Sequence, residues 1–221
     1  MRLVRDLDAE RAVPDLLHRF RNPLAALSSG LSLVMHVARP SGETLALLQQ
    51  MRGEIGRLDA TTRETQRYFM MTAGRPERVA VAAAAGDARS ARAEAAARAG
   101  VEIRLEGTEE ERVVIDPAQF RFGLSELLAN AIRASRPGAS VRLAWRRGRG
   151  PIERIEVRDG GEGIPVASAA DVGRPFFTTH PDRTGLGVAT VARIARLAGG
   201  VLRWENLPKG GCRFVLELPA G

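Results

Sequence analysis

The chain has 221 residues, 44% apolar and 27% charged, enough to bury the cores of one large or two small domains. It has no apolar run near the roughly 18 to 20 residues that a membrane-spanning helix needs, and "MRLVRDLDAERAVPDL" lacks the apolar stretch of a secretory signal. The net charge of +7 comes from arginines scattered among acids, and the densest group, "WRRGRG" at 145–150, has no interleaved aromatics, which favours anionic ligands over a nucleic-acid partner.

Residues 7 to about 72 follow a helical pattern. Leu17, Phe20, Leu24, Leu27, Leu31 and Val34 alternate steps of three and four, which is a heptad seam. "ARPSG" at 38–42 interrupts it with turn residues. A second seam follows through Leu48, Met51, Ile55, Leu58, Thr62, Thr65 and Phe69. Two such seams predict a helical hairpin, and one hairpin leaves part of each seam in water. A second copy is therefore expected to complete a dimeric four-helix bundle. His18 lies beside the first seam, and Pro23 cannot donate to the carbonyl of Arg19, so a bend is expected next to His18. His36 has no comparable context and reads as a surface residue.

"TAGRPER" at 72–78 reads as a hinge, which gives a hairpin domain over 1–72, a linker over 73–79 and a second domain over 80–221. The second domain is mixed. An Ala-rich helix ends at Gly100, "VEIRL" and "RVVI" alternate as strands, and Asp116-Pro117 opens a helix with an acid at the N-cap and Pro at its first position. "SVRLAW" and "IERIEVRD" predict paired strands. A helix, "GVATVARIARLAG", and two closing strands, "VLRWEN" and "CRFVLEL", complete helices packed on one sheet, an α+β class. The lone Cys212 excludes an internal disulfide and suits a reducing cytoplasm.

Four clusters in this half carry chemistry. In "ELLANA", Glu126 and Asn130 are four residues apart on one helix and so share a face; an amide oxygen suits Mg²⁺, and Arg133 is near enough to meet a phosphate. In "DGGEGI", Asp159 ends a strand, and Gly161 and Gly163 allow close backbone approach; an acid followed by alternate glycines matches a purine, whose exocyclic amine needs an acceptor. "RPFFTT" pairs aromatics with hydroxyls. "TGLGVATV" is a Gly-flanked helix start, whose N–H groups and dipole suit a phosphate. Neither a Rossmann fingerprint nor a Walker loop is present.

The order "ELLANA … DGGEGI … PFFTT … TGLG", spread over about 65 residues, resembles the N, G1, F and G2 boxes of the histidine-kinase ATP-binding domain, of the wider ATPase family shared with gyrase and Hsp90 (Bergerat fold). "HRFRNPL" resembles the H-box of two-component sensor kinases, especially the nitrogen-regulation type. The resemblance implies that His18 accepts the γ-phosphoryl group of ATP and hands it to an aspartate of a response-regulator receiver. It implies that Asn130 holds Mg²⁺ with Glu126 close by, that Asp159 binds the adenine amine, and that Gly161, Gly163 and Ile164 shape its pocket. Phe177, Thr178, Thr179 and Thr184 would form the lid and its anchor, and Gly185, Leu186 and Gly187 would let it approach the phosphates. Asn22 matches the amide that orients water for dephosphorylating the partner.

Two positions depart from the pattern. Arg19 stands where the family places an acid after the phosphoacceptor; a cation lowers proton affinity at His18 and cannot act as a base. Asp15, one turn earlier, is spaced to pair with Arg19. His180 replaces a lysine usual in such lids. The leading expectation is an ATP-dependent protein-histidine kinase acting as a homodimer in the cytoplasm, with no nucleic-acid or membrane partner. The alternative is a phosphotransfer, scaffold or phosphatase-type protein with weak autokinase activity. With the H-box so near the N-terminus, either the chain is an excised core or its signal comes through a separate sensor protein.

Overall fold

The computed structural model describes residues 7–148, 150–179 and 183–221; the side chains of residues 7–16, His18 and Arg19 lie outside the description. Among the described residues no helix is long and apolar enough to cross a membrane. The chain divides into two compact units, Met1–Met71 with Thr178–Thr184, and Thr72–Phe177 with Gly185–Gly221.

The first unit is a helical hairpin of α1 (Leu7–Val37) and α2 (Gly42–Met70). The turn between them uses positive φ at Arg39 and Gly42. Pro23 lies inside α1 without ending it. The predicted seam divides in two: Leu17, Leu24 and Leu31, seven apart, are at least partly buried, whereas Phe20, Leu27 and Val34 are 53%, 58% and 48% exposed. On α2, Leu48, Ile55, Thr62 and Thr65 face inward while Met51 and Leu58 stay exposed. The buried Thr62 and Thr65 hydroxyls are satisfied by the Leu58 and Thr61 carbonyls of their own helix.

The second unit starts with β1 (Glu77–Ala80), α3 (Val81–Ala99), β2 (Glu102–Glu106), β3 (Arg112–Ile115), α4 (Pro117–Ala134), β4 (Ser140–Arg147) and β5 (Ile152–Arg158). A 3-10 segment (Val166–Asp171), α5 (Gly187–Leu197), β6 (Val201–Asn206) and β7 (Cys212–Pro219) follow. The main sheet has the order β2-β4-β5-β7-β6, antiparallel except for the parallel β2–β4 pair. Helices α3, α4 and α5 supply the other layer. The core joins Phe120, Leu124 and Leu128 of α4 and Ile194 of α5 to Leu143, Ile155 and Leu216 of the sheet, each at most 1% exposed. Burying each such side chain stabilises the fold by about 1.5–3 kcal/mol.

The helix ends follow the sequence signals. Asp116 caps α4 by accepting from the N–H groups of Ala118 (3.0 Å) and Gln119 (2.9 Å). Gly100 ends α3 in the left-handed conformation, φ +64°. Part of the segment read as a hinge is ordered. β1 begins inside it and pairs antiparallel with β3. Asp116 also accepts from Arg75 N–H (3.0 Å), and Gln119 donates to the Thr72 carbonyl (2.7 Å). At Gly74, φ +66°, a Cβ would overlap the Asp116 carboxyl. Residues 72–80 are thus bonded within the second unit, partly because the N-cap acid of α4 has lone pairs to spare for them.

Candidate nucleotide-binding site

In the second unit, Glu126 and Asn130 of α4 meet the start of α5, and the end of α4 meets the glycine loop after β5. Helix α4 contributes Glu126 and Asn130, one turn apart and both half-buried. A Cβ on Gly187 would lie 3.0 Å from Glu126 Oε2 and 3.9 Å from Asn130 Nδ2. The helix start therefore comes against these two side chains with little room for anything larger than glycine. α5 has neither a capping side chain nor an acid in its first turn, so its positive end is left to an anion. The first helical bond there runs from Thr190 N–H to the Leu186 carbonyl, 2.8 Å. Leu186 itself is 1% exposed: its side chain belongs to the core, and only its backbone shapes the site.

The glycine loop after β5 is held in place from several sides. Asp159 Oδ1 accepts from the N–H groups of Gly161 and Cys212, both at 3.0 Å. Burial pushes the Asp159 carboxyl above its ordinary value, against the pull of those two N–H groups. Its Oδ2 has no hydrogen bond among the described residues and is the acceptor left for a ligand amine. At Gly161 a Cβ would lie 2.4 Å from the Ala134 carbonyl, and at Gly211 one would lie 2.3 Å from the Asp159 carbonyl. Gly163 has φ +87°, and Ile164 beside it is clamped by Asn206. Cys212 under the loop is buried, which, with nearby Asp159, pushes its thiol up to about 12, so it stays an inert S–H.

Phe177 and Gly185 bring the ends of the "TTHPDRT" segment together. At Gly185, φ +69°, a Cβ would lie 2.5 Å from the Phe176 carbonyl carbon and 2.6 Å from the Phe177 oxygen. Phe176 itself holds φ +67°, rare for a side chain of that size. Thr178, Thr179 and Thr184, expected at the phosphates, group with the hairpin unit, where the Thr184 hydroxyl donates to Glu64. His180 lies outside the described residues. Asn22 is exposed on α1, and His18 and Arg19 are described there by backbone alone.

The donor set suits a magnesium nucleotide. The Asn130 amide beside the Glu126 carboxylate offers hard oxygens of the kind Mg²⁺ takes, one or two from protein with the rest from phosphates and water. Asn130 Oδ1 at present accepts from Arg133. Three contributors were not anticipated from sequence: Arg92, bound to Glu126; Ser135, whose hydroxyl accepts from Gly160 N–H (3.1 Å); and Asn206. The Gly210-Gly211 pair was a local hint for the last; the others depend on packing.

Residues 115–221 match the family model described as histidine kinase-, DNA gyrase B-, and HSP90-like ATPase. The sensor protein CseC of Streptomyces avermitilis is 29% identical over 96% of this chain. The sensor histidine kinase ZraS of Escherichia coli O157:H7 is 28% identical over 91% of it. The chain spans 43% and 44% of the lengths of those two relatives. Among solved structures, full-length ShkA in complex with AMPPNP superposes over 96% of this chain and 46% of its own, with TM-score 0.81 and 21% identity. The ATP-binding domain of PrrB from Mycobacterium tuberculosis covers 66% of this chain and 98% of its own, with TM-score 0.54 and 28% identity.

Proposed function

We propose that the chain is the catalytic core of a sensor histidine kinase and that it phosphorylates its own His18 from ATP. One observation carries the reading. Glu126 and Asn130 meet the uncapped start of α5 at Gly187, and Asp159 stands on the adjoining glycine loop with Oδ2 unengaged. That arrangement offers separate places for the phosphates and the base of one nucleotide.

A ring nitrogen of His18 attacks the γ-phosphorus with its lone pair, and an N–P bond forms. The bond from that phosphorus to the bridging oxygen breaks, and ADP leaves with its electrons. The proton on the other ring nitrogen goes to solvent. Such transfer needs positioning and charge neutralisation more than covalent help. Mg²⁺, held by Asn130 Oδ1 with Glu126 beside it, would neutralise charge on the phosphates. Arg133 exchanges Asn130 for a phosphate oxygen, the Asp159 carboxylate takes the adenine amine, and Gly161, Gly163 and Ile164 wall the base.

The exposed stripe of Phe20, Leu27, Val34, Met51 and Leu58 is covered by a second copy in a four-helix bundle. The phosphoryl group passes to an aspartate of a response-regulator receiver in the cytoplasm, and a separate sensor protein or segment supplies the stimulus. Arg19 favours a second reading, a phosphotransfer scaffold that binds ATP without using it, since a cation beside His18 cannot take a proton.

Incubation with γ-labelled Mg-ATP tests both. The kinase labels the wild type, loses label in His18→Ala and gains rate in Arg19→Glu. Label surviving in His18→Ala removes the phosphoacceptor assignment. ATP binding without label in wild type favours the scaffold.

A further inference from the structure

The side of α3 that packs on α4 is built from small residues: Val81, Ala84, Ala85, Ala88 and Ala96 are buried. Arg92 stands in that same row, one turn from Ala88 and one from Ala96, where another alanine would pack. Its side chain is 29% exposed and spans to α4. Nε donates to the Ser125 carbonyl (3.1 Å) and to Ser125 Oγ (2.8 Å), and Nη2 donates to Glu126 Oε1 (3.1 Å). The guanidinium is therefore fixed by two bonds to Ser125 as well as by the one to the carboxylate.

Glu126 is divided between two duties. Oε1 is held by Arg92, while Oε2 faces the start of α5 at Gly187. Without a partner the carboxylate would be repelled by a polyphosphate and would turn to solvent. A planar guanidinium on the far side balances its charge and holds one rotamer, which a flexible ammonium does less well. The Ser125 bonds alone would tie α3 to α4; the bond to Glu126 is what that tie does not require.

We infer that Arg92 is a positioning residue, which holds Glu126 with one oxygen toward the nucleotide phosphates and their Mg²⁺. This rests on the proposed placing of the phosphates at Glu126, Asn130 and Gly187. It gives α3 a part in the site although it carries no motif residue.

The test is the affinity for AMPPNP measured with Mg²⁺ and with EDTA, in wild type, Arg92→Ala, Arg92→Lys, Glu126→Gln and the Arg92→Ala/Glu126→Gln double variant. Arg92→Ala should cut the gain in affinity that Mg²⁺ brings by about tenfold, as loss of an outer-shell partner does, and leave metal-free affinity within about twofold. Arg92→Lys should fall between. In the Glu126→Gln background Arg92→Ala should add nothing, because it acts through that carboxylate. Should Arg92→Ala fail to fold by thermal melting, Arg92→Lys in both backgrounds decides. Equal losses with and without Mg²⁺, losses that multiply in the double variant, or no loss at all overturn the assignment. If wild type binds AMPPNP but never labels His18, the kinase reading falls while the binding cycle still decides on Arg92.

Discussion

Asn206 grips the backbone of Ile164 at both ends of its amide: Oδ1 accepts the Ile164 N–H and Nδ2 donates to the Ile164 carbonyl, each at 2.8 Å. Its Oδ1 also lies 2.8 Å from where a Cβ on Gly163 would be, so the loop and β6 are fitted to each other. Asn206→Ala should loosen the glycine loop and weaken ATP binding by about fivefold, the worth of about 1 kcal/mol of lost hydrogen bonding. Asn206→Asp keeps the acceptor but sets a carboxylate against the Ile164 carbonyl, and should be no better. Calorimetric titration with ATP checks both, and unchanged affinity in Asn206→Ala refutes the clamp.

Asp159 is an acid whose carboxyl is raised by burial. A raised acid contributes stability that is fully present below its ordinary pKa and lost as pH rises through the folded-state value. At neutral pH the ionised group therefore costs the empty fold something, which an adenine amine would offset. Asp159→Asn retains an oxygen for Gly161 and Cys212 but presents a donor where the amine needs an acceptor. The expected outcome is a higher melting temperature together with ATP affinity lower by about tenfold, the loss of one charge-assisted bond of about 1.5 kcal/mol. A variant that is less stable and binds ATP normally contradicts this.

Glu153 on β5 is 3% exposed, and its Oε2 has no hydrogen-bond partner among the described residues. Burial raises its carboxyl, Glu111 raises it further, and Arg147 opposes. By the same sign, its penalty is absent below the ordinary 4.5 and grows as pH rises through the folded value. Glu153→Gln should stabilise the protein at pH 7 by about 1 kcal/mol, and the gain should vanish in acid, where wild type carries the proton. Urea unfolding at two pH values measures it; an equal gain at both would mean that charge is not the cause.

The exposed half of the hairpin seam predicts assembly. Leu27, 58% exposed in one chain, lies midway between Phe20 and Val34 in a stripe with a seven-residue step. Leu27→Glu should give a monomer in light scattering with helical content largely kept, while Leu24→Glu, on the half-buried stripe, should unfold the hairpin itself. A wild type that is monomeric at high concentration would remove the dimer.

The sequence carries whatever depends on neighbours along the chain. The seams named both hairpin helices, and the Asp116-Pro117 and Gly100 signals named helix ends, because caps and periodicity are local. β1 was missed because four residues between Pro76 and an Ala-rich helix have no pattern apart from their partner β3. Arg92, Ser135 and Asn206 were missed for a related reason: each acts across 25 to 42 residues of chain on a carboxylate or a backbone group. A charged residue in the alanine row of α3 shows in the sequence, but its partner Glu126 does not. The glycines were legible as a motif, but which atoms press on them was not.

The alanines of α3 set a spacing. Where two helices meet through methyl groups, their axes can lie toward the short end of the usual range of about 8–10 Å, and no side chain remains that could be trimmed to absorb a misfit. An arginine bridging such a gap has little slack. A leucine at position 84, 85 or 88, a change that many cores absorb by repacking, would act as a wedge, and the displacement would surface at Glu126. The segment with the plainest composition in the chain is therefore among the least free to drift.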